Sequence, residues 1–218
     1  MIPLSDDSRR PQRFPAVTTT VILANVLVFL MELTGGDDFV RQWSVIPADI
    51  VAGKHWVTIL TAMFMHAGWL HIIGNMVFLW AFGPEIEDAM GRPRYLAFYL
   101  LSGIVASAAQ IAAMRDSTIP NLGASGAIAG VMGAFLITYP RDRIRTVLLF
   151  GFFYRVTVLP AALLIGLWFV AQLFSQLGAM ANTQSGGVAY LAHVGGFIFG
   201  AATARAFEGF RPVVESDA

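Results

Sequence analysis

The chain has 218 residues, of which 56% are hydrophobic and only 13% are charged, and its mean hydropathy is +0.66. A soluble domain is usually nearer a quarter charged, so this composition indicates an integral membrane protein. The absence of cysteine excludes disulfides, thiol catalysis and cysteine-based metal sites. The formal net charge of zero gives no electrostatic case for nucleic-acid binding.

Long neutral windows between the charged residues predict six membrane spans, each long enough to cross about 30 Å of hydrocarbon. The first follows a polar, basic tail and ends without a small-residue cleavage site, which favours an uncleaved span over a signal peptide. The motif NTQSGG at 182–187 divides the last, longest window into two. The segment 146–154 is too short to cross, and we expect it to lie at the membrane interface. The predicted spans are 17–34, 68–88, 94–114, 123–139, 156–178 and 187–207.

The distribution of lysine and arginine predicts the orientation of these spans. With six spans both termini share one side, and that side holds eleven of the fourteen basic residues. The termini are therefore predicted to be cytoplasmic, with the long loop 35–67 outside. The predicted fold class is all-α, a polytopic bundle of six transmembrane helices. It divides into a cytoplasmic N-terminal tail (1–14), a membrane domain (15–207) and a cytoplasmic C-terminal tail (208–218).

Three histidines, His66, His71 and His193, lie in or beside predicted spans. An ionisable side chain within a span is costly and is by default a functional candidate. The plainer alternative is a histidine whose ring is satisfied by a neighbouring carbonyl group. Counting about 1.5 Å per helical residue from the charged inner ends gives the depth of each candidate. Ser125 lies sixteen residues before Arg141, His71 sixteen before Glu87 and His193 twelve before Arg205.

These counts place Ser125 and His71 roughly 24 Å from the inner face, and His193 roughly 18 Å from it. Side-chain reach and helix tilt can close the difference, so the three residues are predicted to share one layer. Asn75 lies one helical turn after His71 and so shares its face. A serine hydroxyl becomes a useful nucleophile when an adjacent base takes its proton, and histidine is the usual base.

Spans four to six contain no acidic residue at that depth, so a serine hydrolase here would use a Ser–His dyad without a carboxylate. Small residues at helical spacing, Gly126 with Gly130 and Gly196 with Gly200, would let spans four and six approach closely. Plain helix packing explains these glycines equally well. The soluble-esterase motif G-x-S-x-G does not fit because residue 127 is alanine, and no H-E-x-x-H zinc motif occurs.

At these residues the sequence resembles the rhomboid family of intramembrane serine proteases, along nearly the whole of 15–207. Each motif alone is weak, and the specificity lies in finding all of them in order on the right spans. Span two matches H-x-x-x-x-H-x-x-x-N at His66, His71 and Asn75, followed by E-x-x-x-G at Glu87 and Gly91. Span four matches G-x-S-G at Gly123, Ser125 and Gly126, and span six matches A-H-x-x-G-x-x-x-G at Ala192, His193, Gly196 and Gly200.

The resemblance implies that Ser125 is the nucleophile and His193 the general base. It further implies an oxyanion hole formed by the Ser125 backbone N–H, His71 and Asn75, with no metal or cofactor. Expected substrates are single-span membrane proteins, cut in or near their helices. Span five and the loop 179–188 would form a lateral gate and cap. We expect a bacterial inner membrane as the location, with the active site opening to the outer side.

Two positions depart from the family pattern. Many members carry an aromatic residue four positions after the serine, packed on the histidine, where this chain has Ala129. Two alternatives follow: another span's ring, Tyr190 or Phe197, replaces it, or the imidazole is held less firmly. Many members also carry a Trp-Arg pair in the outer loop. This chain has the tryptophan, Trp56, but has Thr58 where the arginine is expected.

Two other functions compete with an active protease. A catalytically silent binding or quality-control member would typically lack the serine or the histidine, and this chain has both. A channel or transporter would need a polar path to both membrane faces. The inner halves of spans four and six are nearly all apolar or small, which disfavours such a path.

Overall fold

The structure is a computed structural model that describes residues 1–151, 153–181 and 190–209. Within these ranges, six helices of fourteen or more residues overlap the six predicted windows. Short helices and a small sheet connect them. In chain order the elements are β1 (Ile2–Asp6), α1 (Ala16–Trp43), α2 (Pro47–Val51), α3 (Thr58–Thr61), a 3-10 turn (Ala62–Phe64), α4 (Trp69–Met90), α5 (Arg92–Ala113), α6 (Ser125–Thr138), β2 (Arg143–Phe150), β3 (Phe153–Pro160), α7 (Ala161–Ala181) and α8 (Tyr190–Phe207).

Helix α6 forms the centre of the bundle. Every residue from Gly126 to Phe135 is buried, as expected for a helix that is apolar on all sides. Helices α4, α5 and α8 pack around it, while α7 lies against α8 with far less contact. The catalytic candidate on α6, Ser125, is therefore held by the most extensively packed helix among the described residues.

Helix α1 is bent at Gly36, whose φ of 60° is accessible to glycine at little cost. The bend falls two residues after the predicted end of span one, so the last turns of α1 belong to the predicted outer loop. A second bend of 89° separates the segment Thr58–Phe64 from α4. This bend places His66 in the corner that precedes α4.

The prediction of an all-α fold needs correction, because β1, β2 and β3 form an antiparallel sheet in the order β1-β2-β3. Segment 146–154, expected only to rest at the interface, forms parts of the β2–β3 hairpin. Strand β2 forms here because exposed and buried residues alternate with a period of two: Arg143 and Arg145 are exposed, while Ile144 and Thr146 are buried. Part of the predicted N-terminal tail supplies β1, which pairs with β2 from Ile2↔Val147 to Asp6↔Ile144.

Two helices of the described chain, α1 and α5, are by themselves long and apolar enough to cross a membrane. The bent pair of Thr58–Phe64 and α4 would make a third if it forms one span. Helix α6 (Ser125–Thr138) and the part Ala161–Phe174 of α7 are shorter apolar segments. The chain is thus mostly helical with several apolar helices, while the count of six crossings stays a prediction.

Candidate active site

Ser125 is the first residue of α6, directly after a loop that glycine shapes. Gly123 has a φ of +134°, and its N–H donates a hydrogen bond to the Ala62 carbonyl oxygen at 2.9 Å. A Cβ at residue 123 would lie 3.0 Å from His71 Cε1 and 3.5 Å from Ser125 Oγ. Glycine at this position therefore keeps the space in front of the serine hydroxyl open.

His193 of α8 lies beside this serine. Its Nε2 is 2.7 Å from Ser125 Oγ, a normal distance for a hydrogen bond from the hydroxyl to the imidazole. The histidine is 7% exposed. The structure thus brings together two residues 68 positions apart in sequence, in the geometry that proton transfer from a serine requires.

Glycines explain how α6 and α8 come close enough for this contact. A Cβ at Gly196 would collide with the Gly126 carbonyl oxygen, and one at Gly200 would collide with that of Gly130. On its other side Gly130 faces Ser102 of α5, whose Oγ would lie 2.5 Å from an added Cβ. The backbones of α6 and α8 are in direct contact at these glycines, so any larger residue would separate the two helices.

His71 and Asn75 of α4 line the same cavity as Ser125 and His193, a space of about 720 Å³. The Ala67 N–H donates to His71 Nδ1 at 3.3 Å, which leaves the proton on Nε2. Asn75 is 8% exposed, and its buried Nδ2 has no hydrogen-bond partner within the described residues. Both side chains therefore have a donor N–H that is available to an oxygen bound in the cavity.

His66 lies behind His71 and does not line this cavity. The two rings meet edge to face with centroids 5.1 Å apart. The His66 backbone N–H donates to Glu32 of α1, 2.9 Å from Oε2. This arrangement supports the ring of His71. Sequence reasoning missed Glu32, although an acidic residue near the end of an apolar span was a visible signal.

Glu87 and Gly91 lie at the opposite end of α4, far along the helix from the serine. The Glu87 carboxylate accepts hydrogen bonds from the N–H groups of Val17 (3.0 Å) and Thr18 (2.7 Å) in the first turn of α1. It also accepts one from the Thr18 hydroxyl at 2.8 Å. Gly91, with φ +77°, joins α4 to α5. Both residues shape the scaffold rather than the cavity.

Two residues of α7 contact His193, and sequence reasoning singled out neither. The Trp168 ring lies 5.8 Å from the imidazole, centroid to centroid, and Gln172 Oε1 lies 2.7 Å from His193 Nδ1. Trp168 thus gives His193 the aromatic neighbour that Ala129 does not provide. Phe197, one proposed substitute, instead stacks on Phe169 at 4.4 Å. A glutamine within an otherwise apolar span was the available signal.

Thr58, the second departure, is buried and donates its hydroxyl proton to the His55 carbonyl oxygen at 2.7 Å. It therefore stabilises the start of α3 locally, while Trp56 is 63% exposed. Within the described ranges no group of three or more histidine, aspartate or glutamate side chains is arranged to hold a metal ion. The predicted loop 179–188 lies mostly outside the described residues.

Comparison with known proteins gives the family. The rhomboid domain model matches residues 53–208. Rhomboid protease GluP of Bacillus subtilis (strain 168) is 35% identical over 126 residues, which cover 56% of this chain and 24% of that protein. Putative rhomboid protease YdcA of the same organism is 29% identical over 124 residues, 56% of this chain and 62% of that protein. Human presenilin-associated rhomboid-like protein, mitochondrial, is 31% identical over 137 residues, 60% of this chain and 35% of that protein.

The chain belongs to the rhomboid family, as its motifs predicted, and it is an integral membrane protein. The matched segments span between about a quarter and three-fifths of these relatives' own lengths. The family's members are generally intramembrane serine proteases, and some are inactive.

Proposed function

We propose that this chain is an intramembrane serine endopeptidase in which Ser125 is the nucleophile and His193 the general base. The observation that carries the proposal is the 2.7 Å separation of His193 Nε2 and Ser125 Oγ at the wall of a large cavity. A catalytically silent relative would have no need to keep both groups in hydrogen-bond geometry. Relatives named as proteases are consistent with this assignment.

In the first half of the reaction, Ser125 Oγ attacks the carbonyl carbon of the scissile peptide bond while its proton moves to His193 Nε2. The carbonyl oxygen becomes an oxyanion that needs hydrogen-bond donors. The Ser125 backbone N–H, at the first turn of α6, has no partner within its own helix. His71 Nε2–H and Asn75 Nδ2–H are the side-chain donors in the same cavity.

In the second half, His193 gives its proton to the leaving amine nitrogen as the peptide C–N bond breaks. An acyl-enzyme on Ser125 remains. Water then loses a proton to His193 Nε2 as its oxygen attacks the ester carbonyl, and the histidine returns that proton to Ser125 Oγ. Among the described residues that line the cavity none is a carboxylate, so the bond between Ser125 and His193 is the centre of the proposed machinery.

The proposed substrates are single-span membrane proteins. A helical substrate satisfies its own amides, so its scissile bond must unwind before it enters a polar site. The cavity lies between α4 and α7, lined on those sides by Phe78 and Trp168, whose rings are 6.5 Å apart. We propose that substrates enter between these helices, with α7 as the gate.

We further propose six membrane crossings with cytoplasmic termini in a bacterial inner membrane. The catalytic candidates lie at the N-terminal ends of α4, α6 and α8, which all point to the same end of the bundle. The predicted topology makes that end the outer one. Arg143 and Arg145 of β2 follow the C-terminal end of α6, the end opposite Ser125, and this placement is consistent with the positive-inside rule.

A fluorophosphonate, which forms a covalent adduct with an activated serine, tests the dyad directly. We expect the detergent-purified protein to be labelled at Ser125 by peptide mapping. Ser125→Ala and His193→Ala should abolish both labelling and cleavage of a single-span substrate in liposomes. Ser117→Ala, in the loop between α5 and α6 and outside the cavity lining, serves as the matched control and should label normally.

Folding of each variant is checked by its thermal unfolding midpoint in detergent. Cleavage by purified Ser125→Ala at the wild-type rate would refute the nucleophile. A well-folded wild-type protein that neither labels nor cleaves would instead support a silent member of the family. Labelling at another serine would refute the site while leaving hydrolase chemistry standing.

A further inference from the structure

Both ring nitrogens of His193 have a polar partner in the site. Nε2 lies 2.7 Å from Ser125 Oγ, and Nδ1 lies 2.7 Å from Gln172 Oε1. A general base must present a lone pair, not a proton, to the serine hydroxyl. The group opposite the second nitrogen therefore decides whether His193 has the right tautomer.

An amide oxygen only accepts hydrogen bonds. Gln172 Oε1 therefore requires the neutral imidazole to carry its proton on Nδ1, which leaves the lone pair of Nε2 facing Ser125. This is the role that the buried aspartate has in soluble serine proteases. A neutral amide performs it without the cost of placing a charge at membrane depth.

Gln172 belongs to one face of α7, one helical turn after Trp168. The two side chains contact different parts of the same imidazole, Trp168 through its ring and Gln172 through its oxygen. Gln172 is half-buried and lines the cavity, so it is held within the site rather than turned to lipid. Ala129, beneath the dyad on α6, offers no aromatic ring to share this task.

We propose that Gln172 is a positioning residue that fixes the orientation and tautomer of His193, so that the dyad operates as a Ser125–His193–Gln172 triad. The inference rests on the proposed protease function. Because Gln172 is carried by α7, the base is fully aligned only while α7 lies against α8. Outward movement of α7 to admit a substrate would break the bond, and its return would restore it.

Gln172→Leu removes the hydrogen-bond acceptor and replaces it with an apolar side chain of roughly similar size. We expect kcat and the rate of Ser125 labelling to fall roughly tenfold, the value of one hydrogen bond. KM should hardly change, since Gln172 acts through the base rather than on the substrate. The matched control is Leu101→Ala in α5, whose side chain is 41% exposed and does not line the cavity. It should leave kcat unchanged.

Gln172→Glu keeps an acceptor of the same length and is expected to retain most of the wild-type rate. An ionised carboxylate next to the ring would stabilise the imidazolium, so the acid limb of the pH–rate profile should move to higher pH. His71 is the other titratable side chain among the residues that line this cavity. His71→Asn is therefore made both in the wild-type protein and in Gln172→Glu. The pH profiles of these variants separate the titration of His71 from that of His193.

Solid-state NMR of ¹⁵N-histidine protein in bilayers reports the tautomer without any need for activity. We expect the Nδ1–H form for His193 in the wild-type protein and a mixture of tautomers in Gln172→Leu. The resonances of His193 are identified by their loss in His193→Ala.

These measurements separate the two proposals. Active wild-type protein combined with unchanged kcat, pH profile and tautomer in Gln172→Leu would overturn the role of Gln172 and leave the protease proposal intact. Inactive wild-type protein would overturn the protease proposal and, with it, the triad. The tautomer measurement would then still decide whether Gln172 orients the ring.

Discussion

Gly196 in α8 lies directly against the carbonyl oxygen of Gly126 in α6, with no room for a Cβ between them. The contact lies close to both members of the proposed dyad, since Ser125 immediately precedes Gly126 and His193 precedes Gly196 by three residues. Helix separation at this point consequently sets the distance between hydroxyl and imidazole. Helix packing and the geometry of the proposed dyad therefore depend on the same pair of small residues.

Replacement of this glycine is expected to damage both properties. Gly196→Ala should lower the free energy of unfolding by about 1–3 kcal/mol, because the added methyl overpacks a backbone contact that cannot yield easily. Ser125 labelling should also fall, since the helices must move apart. Thermal unfolding and labelling rates measure the two effects. Gly166→Ala in α7 is the control, because a Cβ there meets nothing within 4 Å.

Gly123 offers a way to close the site without touching a catalytic atom. In Gly123→Ala the new methyl would lie 3.0 Å from His71 Cε1, and the φ of +134° is unfavourable for alanine. We expect labelling and cleavage to be largely lost. Backbone strain alone is measured by Gly53→Ala, where φ is +78° and the space is empty. Equal activity losses in the two variants would contradict the steric explanation.

Glu87 is expected to be a stability residue. It accepts hydrogen bonds from the first-turn N–H groups of α1, which have no partners within that helix. Glu87→Ala should lower the free energy of unfolding by about 1–2 kcal/mol, as loss of a helix cap does. The labelling rate per folded molecule should stay near the wild-type value. Asp116→Asn, at an exposed carboxylate, controls for the change in charge.

Asp6 in β1 should make stability depend on pH. Burial, reinforced by the adjacent Asp142, raises the pKa of Asp6 to about 7 from its ordinary value of 3.8. The folded-state pKa exceeds that of the unfolded chain. The contribution of Asp6 is therefore full below about pH 4 and is lost as pH rises through about 7. Unfolding midpoints in detergent across this range measure the effect.

Asp6→Asn stays neutral at every pH and should reduce this decline in stability between about pH 4 and about pH 7. Arg9, which forms a salt bridge with Asp142, remains in place in this variant. Asp38→Asn, at an exposed position of α1, should retain the wild-type dependence. A wild-type profile that matches Asp6→Asn would show that Asp6 titrates normally.

The sequence by itself determined much of this protein. Hydropathy located the six long helices of the described chain, because an apolar segment in lipid must satisfy its own backbone hydrogen bonds. Depth counted from charged ends placed Ser125, His71 and His193 in one layer, since helical rise is constant. The motifs around these residues identified the rhomboid family.

Only the tertiary structure decided the rest. The paired residues of strands β1 and β2 are more than 130 positions apart in sequence. Nothing local in either segment could therefore show that they pair. The contacts of Trp168 and Gln172 with His193 depend on the rotation of α7 about its axis, which neighbouring helices set and hydropathy does not encode. The sequence thus singled out the proposed nucleophile and base, and the packing of α7 places Trp168 and Gln172 against that histidine.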